Sequence, residues 1–469
     1  MALDQQRNWD ISMAENLAAS KRNGKGGGTP QKEDEMLKSA DTGVYPTWTE
    51  NPVYLPDEIL LEILSYVATT HHAQKTLASC CLLSHQWYEA AVPLLYAYPY
   101  LYGVNFDPFV RAICPSINLH VRKSPLSELV KSLNMANLVH QGSKSLTARL
   151  LGRTKGNLEV FVAPQASFAM NCFPALSKCT KLRTLDLSLV SESPPLPELF
   201  KTVSHLSNLR TFRLPRSAGF GVHHKPPLFS WPPALEDLSL SGGIDAHFLH
   251  GVVAFPQTLK SLTIEHCPLA KGFAVTHLLK TAVRPLKNLE SFKLRMMPRL
   301  GAHALDDLLF LLPQVKKLSV SVDYITPALF DEGHLHHLQK DYTFPTSTDS
   351  DDLDAVSETP LQHSNLRHLE LTNSGNPGVE DKISPIDIMI AIDDGVLPKL
   401  RQVRVAKSLL WHSSSTASDA EALADVLQEA SKRDWDDGGD AQHFRGLDRR
   451  EGERRRVWEE VAGVWMFDT

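Results

Sequence analysis

The stretch LRTLDLSLVSESPPLPELFKTVSHLSNLRTFRL, residues 182–214, opens and closes on one six-residue pattern. Leu182, Leu185 and Leu187 return as Leu209, Phe212 and Leu214, and between them PELFKTVSHL sets apolar residues at helical spacing. Written L-x-x-L-x-L, with other apolar residues allowed at the fixed places, the pattern is met ten times. The segments are VKSLNM (130–135), LEVFVA (158–163), LRTLDL (182–187), LRTFRL (209–214), LEDLSL (235–240), LKSLTI (259–264), LESFKL (289–294), VKKLSV (315–320), LRHLEL (366–371) and LRQVRV (400–405). Their start-to-start intervals are 28, 24, 27, 26, 24, 30, 26, 51 and 34 residues. Two further connections, AVTHLLKTAV and HALDDLLFLL, are also apolar at helical spacing. A strand with one helical return cannot bury its own leucines, so the units must stack on one another.

The period and the template resemble leucine-rich repeats, in which each unit is a short strand and a helical return. The resemblance implies an α/β repeat solenoid, here over residues 99–411. Most units lack the Asn that many such repeats carry after the template; Cys267 fills that place in one of them. The long interval is accounted for by residues 334–362, which include PTSTDSDDLDAVSETP. That run is acidic and poor in large apolar residues, the composition of a solvated loop open to phosphorylation. Beyond the repeats, SDAEALADVLQEASKRD (418–434) and GERRRVWEEVAGVW (452–465) predict two helices. An acidic tail over 412–469 is thereby expected to form a helical C-terminal cap.

Ahead of the repeats, residues 1–52 have little to bury and are expected to be a disordered tail. KRNGKGGGTPQKEDE (21–35) holds glycines and lysines, but not in phosphate-loop order and with no strand before them. The chain then turns apolar at LPDEILLEILSYV, residues 55–67. Leu55, Ile59, Leu60, Ile63, Leu64 and Val67 fall on a helical stripe, Pro56 suits a helix start, and Asp57 and Glu58 favour its positive end. AQKTLASCCLLS and SHQWYEAAVPLLY predict a second and a third helix, with Ser84 as N-cap before Trp87.

L-P-x-E-[IL]-L-x-x-I-L, then C-L-L-S and x-x-W, strongly resembles the F-box, here over residues 53–98. The matching residues are Leu55, Pro56, Glu58, Ile59, Leu60, Ile63, Leu64, Leu82, Ser84 and Trp87. F-box modules are three-helix units that dock on the Skp adaptor of cullin–RING ubiquitin ligases. The resemblance thus implies that these ten residues serve adaptor binding, with the apolar stripe shared between the module's own core and the adaptor. An F-box followed by leucine-rich repeats implies a substrate receptor, its target held on the concave strand face. The alternative is a repeat scaffold that binds proteins without any link to ubiquitin, with residues 55–95 as its N-terminal cap.

Side chains alternate along a strand, so residues flanking the second and third apolar places face that surface. It carries Arg213, Lys293, Arg295, Lys317 and Arg404 against Asp186, Asp237, Glu265 and Glu370. Arg213, Lys293, Arg295 and Lys317 are the candidate target-binding residues. Lys293, Arg295 and Lys317, from neighbouring units, form a trio suited to a phosphorylated or acidic peptide.

Formal charge runs −5 over residues 1–100, +11 over 101–340 and −12 over 341–469, for −6 in all. A chain acidic as a whole and only mildly basic in the middle is not expected to bind nucleic acid. The most apolar window, AAVPLLYAYPYLYGV (90–104), is too short to span a bilayer, and MALDQQRNWDISMAENLAAS lacks the pattern of a secretory signal. Six cysteines without a C-x-x-C pair read as buried thiols of a reducing compartment, cytosol or nucleus. No motif supplies a nucleophile or an acid–base set, so no catalysis and no cofactor is expected. His334, His336 and His337 lack a cysteine nearby in sequence and read as surface loop residues, not zinc ligands.

Overall fold

The computed structural model describes residues 55–70, 72–116, 124–138, 142–192, 194–216, 230–244, 248–249, 254–343, 363–373, 383–413, 415–436 and 462–468. The expected N-terminal tail, residues 344–362 of the acidic insertion and residues 452–461 of the second tail helix lie outside these. Two compact units divide the chain: residues 1–95 with 102–109, and residues 96–101 with 110–469.

In the first unit, helices α1 (Asp57–Ala68), α2 (Ala73–Cys80) and α3 (His85–Ala97) close a small core. Leu60, Leu64, Leu77, Cys80 and Ala91 are its buried centre, with Val67, Trp87, Leu94 and Leu95 packed around them. Pro56 stands at the N-cap of α1, one place before the first turn, and Asp57 and Glu58 fill that turn. The Trp87 backbone N–H donates to Ser84 Oγ at 3.3 Å, so Ser84 caps α3 as its sequence position suggests.

The second unit is an 11-stranded, all-parallel sheet whose strands pair in chain order. Its strands are β1 (Ser132–Asn134), β2 (Val160–Val162), β3 (Thr184–Asp186), β4 (Thr211–Arg213), β5 (Asp237–Ser241), β6 (Ser261–Glu265), β7 (Ser291–Arg295), β8 (Lys317–Ser321), β9 (His368–Thr372), β10 (Gln402–Ala406) and β11 (Gly463–Phe467). Each of the ten template segments carries one strand. In register, Leu133, Phe161, Leu185, Phe212, Leu238, Leu262, Phe292, Leu318, Leu369 and Val403 form one row across the sheet. All of them are buried. Such a row is what a strict in-register repeat produces, because one residue of slip would turn every leucine to the opposite face.

Helical returns cover the leucine side, among them Leu196–Val203, Gly272–Leu278 and Pro385–Asp393. HALDDLLFLL contributes only one helical turn, Leu308–Leu311, after a run of turns. Four of the ten units use a side-chain amide at another place. In these four the residue just before the template donates its side-chain amide to a carbonyl of the preceding unit: Asn157 to Glu128 at 2.6 Å, Asn208 to Thr180 at 2.8 Å, Asn288 to Gln257 at 2.9 Å and Gln314 to Leu286 at 3.1 Å. Loop carbonyls between stacked units are thereby satisfied.

Two sequence expectations are corrected. Residues 334–343 are not loop: helix Glu332–Thr343 contains the histidines, with His334 3.4 Å from Asp307 and His336 3.5 Å from Glu332. The tail does not close on a second helix. Helix Ala417–Asp436 is the return between β10 and β11, and residues 463–467 form a strand in parallel register with β10. Over residues 463–465 the helical spacing is overridden because the exposed edge of β10 offers Gly463–Phe467 a row of backbone hydrogen bonds. Arg401, 9% exposed, anchors that return: its Nε donates to Asp434 at 2.8 Å and its Nη1 to the carbonyls of Pro398 and Leu400.

Candidate functional site

The stripe of α1 divides in two. Leu60 and Leu64 are fully buried in the helical core, so they are withdrawn from the adaptor-contact set: what they touch is the module itself. Ile59, Ile63 and Tyr66, one position away around the helix, form a second row pointing outward. Ile59 is 50% exposed and Tyr66 67%. The turn between α2 and α3 adds Leu82, 87% exposed, and Leu83. Pro56, Glu58 and Ser84 are exposed, Leu55 is half-buried, and Trp87 is half-buried against the core. These large apolar side chains together form an open patch on a small module, more than isolated surface residues would leave.

One positioning residue escaped the sequence reading. Gln86 Nε2 donates to the Leu55 carbonyl at 2.8 Å and to Asp57 Oδ1 at 2.6 Å, tying the start of α3 to the start of α1. Leu55 and Pro56 are thereby held beside the outward row. A glutamine before a tryptophan carries no periodic signal, so only the tertiary contact identifies it.

On the sheet, the face opposite the leucines carries the four candidate target residues. Arg213 is 3.2 Å from Asp186 on the neighbouring strand, so its charge is answered within the protein. Lys293, Arg295 and Lys317 lie on adjacent strands, but Lys317 is level with Ser291 and Arg295 points elsewhere. Arg295 reaches across β8 to Glu370 at 3.8 Å, over the buried Ser321. Glu370 also binds Arg404 at 2.9 Å and accepts from Ser319 Oγ at 2.9 Å. At the ends of β6 and β7, His266 and Met296 adopt left-handed φ of 54° and 53°, where β5 uses Gly242. Burial, with Arg216 and Arg295 nearby, pushes the His266 ring below its ordinary pKa. Among the described residues no group of three or more His, Cys, Asp or Glu could hold a metal ion, and no helix is long and apolar enough to cross a membrane.

A three-helix module with an open apolar row and a one-strand-per-unit parallel sheet make this a protein with an F-box-like domain and an α/β repeat body. Residues 53–102 match the F-box-like family model and form an F-box-like domain. The chain is similar to the F-box protein YDR306C of Saccharomyces cerevisiae, 29% identical over 421 residues, which covers 86% of this chain and 79% of that one. It is likewise similar to protein pof5 of Schizosaccharomyces pombe, 29% identical over 346 residues, 73% of this chain and 86% of its relative. A chain in the crystal structure of the Rad7 and Elc1 complex in yeast overlaps it at a TM-score of 0.44 and 15% identity, over 85% of this chain and 92% of that one.

Proposed function

We infer that this protein is the substrate-recognition adaptor of a Skp–cullin–F-box ubiquitin ligase. Its F-box-like helices hold a Skp-type adaptor, and through it a cullin, while the repeat sheet holds a target protein. The chain itself performs no chemistry; it lowers the cost of encounter between target and ligase by joining them on one scaffold. The cytosol or nucleus, where the other ligase subunits and reduced thiols are found, is the compartment that suits this role.

The observation that carries the reading is the outward row Ile59, Ile63 and Tyr66 with Leu82 and Leu83, left open by a module whose own core is already complete. The test is binding of the purified chain to a Skp adaptor, with an Ile59→Asp/Ile63→Asp variant alongside. Both positions are exposed, so the variant is expected to keep its helical content and lose adaptor binding. Failure of the unaltered chain to bind would sink the reading in favour of a repeat scaffold unconnected to ubiquitin.

A further inference from the structure

The in-register pairing of the sheet allows charge to be compared strand by strand along the face opposite the leucines. On β1–β6 the outward positions carry one cation, Arg213, against Asp186, Asp237 and Glu265. On β7–β11 they carry Lys293, Arg295, Lys317 and Arg404 against Glu370 alone. The face is therefore net negative over its first six strands and net positive over its last five.

Within the positive half, two of the four cations are already engaged. Glu370 accepts Arg404 at 2.9 Å, stands 3.8 Å from Arg295, and takes a third contact from Ser319. Lys317 is exposed and Lys293 half-buried, and neither forms an ion pair among the described residues. They are the charges left for a ligand.

The eleventh strand completes the surface. Trp465 pairs in register with Arg404 and is 42% exposed, and the Arg404 guanidinium lies 4.9 Å from the centre of the Phe467 ring. Glu370 and Phe467 together fix the plane of Arg404, and the open tryptophan stands beside it. A large rigid aromatic next to a held arginine is the composition of a binding hot spot. From Lys317 on β8 to Trp465 on β11 there are three strand spacings, roughly 14 Å, and from Lys293 on β7 four, roughly 19 Å. An extended peptide covers these distances in about four to six residues.

Resting on the reading of the sheet as the target-binding surface, we propose that β7–β11 binds an acidic peptide segment of the target, laid across the strands. Its carboxylates meet Lys293 and Lys317, and an apolar side chain four to six residues away packs on Trp465. The negative first half of the face repels the same segment and sets where along the sheet it docks. Arg213 takes no part.

The test pans the full-length chain, alone and with an excess of a Skp adaptor, against a displayed library of randomised twelve-residue peptides. Selected peptides are then synthesised with a dye and titrated by fluorescence anisotropy. Enrichment of Asp and Glu together with one aromatic or aliphatic residue is expected. Affinity of a selected peptide should fall at least tenfold in Lys293→Glu/Lys317→Glu and in Trp465→Ala, weaken as salt rises, and be unchanged in Arg213→Glu. Lys293→Gln/Lys317→Gln replaces the charge reversal if that variant loses its helical signal. Selection of basic or charge-neutral peptides overturns the proposal, as does an Arg213→Glu loss equal to that of the lysine pair. If acidic peptides are selected only after deletion of residues 344–362, the occupant is the chain's own acidic segment and the partner assignment falls. Adaptor binding, measured on the same samples, separates the two readings. Its presence without acidic selection defeats this proposal alone, and its absence with acidic selection defeats only the ligase role.

Discussion

Replacing Leu82 and Leu64 in turn by alanine separates what the apolar residues of the helical module are for. Leu82 is 87% exposed, so truncating it removes almost nothing from the folded chain. Covering a leucine side chain is worth about 1.5–3 kcal/mol, part of which alanine retains. If an adaptor covers Leu82, the loss on truncation is about 1–2 kcal/mol, a roughly 5- to 30-fold weaker Kd. Leu64 has no exposed surface, and Leu64→Ala leaves a cavity in a core of five buried residues. That substitution costs about 2–5 kcal/mol of stability, a large share of what so small a module has. The assay is isothermal titration against a Skp adaptor, with the thermal unfolding of each variant recorded alongside. Leu82→Ala should move Kd and leave Tm in place; Leu64→Ala should lower Tm first. A Leu82→Ala variant that binds within twofold of the unaltered chain, or that unfolds as early as Leu64→Ala, refutes the division of the module's leucines into a buried core and an open contact surface.

Four other outcomes follow from the repeat body. Asp306, 5% exposed, accepts from the Thr326 backbone N–H at 2.7 Å and from Thr326 Oγ at 2.8 Å. Asp306→Ala strands both donors in the interior and should cost about 2–5 kcal/mol in a urea titration; a change under about 1 kcal/mol would show that the loops re-pair. Asn288→Ala removes one rung of the interunit amide row, at about 0.5–1.5 kcal/mol, and a shift in the urea midpoint no larger than for an exposed Lys287→Ala control would contradict the row's role. Burial raises the Cys179 and Cys267 thiols to about 12, above their ordinary value near 9. A thiol raised on folding stabilises the native state fully below its unfolded pKa, and that stability drains away as pH climbs from about 9 towards 12. The urea midpoint should therefore drop over that range, less so in Cys179→Ala/Cys267→Ala; equal drops in both chains would count against it. Finally, Arg401→Met cuts the tie to Asp434 and the two carbonyls and should speed proteolysis within Ala417–Asp436, and an unchanged digestion pattern would contradict the anchoring role.

Not all of this was legible from residue order. The sequence by itself determined the repeat. A strict L-x-x-L-x-L spacing with helical returns leaves stacking as the one way to bury the leucines, and a strand begins within each of the ten template segments. It also determined that residues 55–97 form three amphipathic helices, because caps such as Ser84 and apolar spacing act within a few residues of one another. Only the tertiary structure decided which apolar residues of α1 go inside. Ile59 and Leu60 are chemically alike and adjacent, and the position of α2 and α3 breaks the tie. It alone decided the fate of the cations too: Arg213 and Arg295 read as free until Asp186 and Glu370, from other strands, come within reach. Residues 463–467 show the same dependence most plainly. The spacing that ends in residues 463–465 predicts helix, and the hydrogen-bonding edge of β10, some sixty residues earlier in the chain, makes 463–467 a strand instead. Local spacing encodes elements; long-range pairing assigns them their neighbours, and with them the surface that is left for a partner.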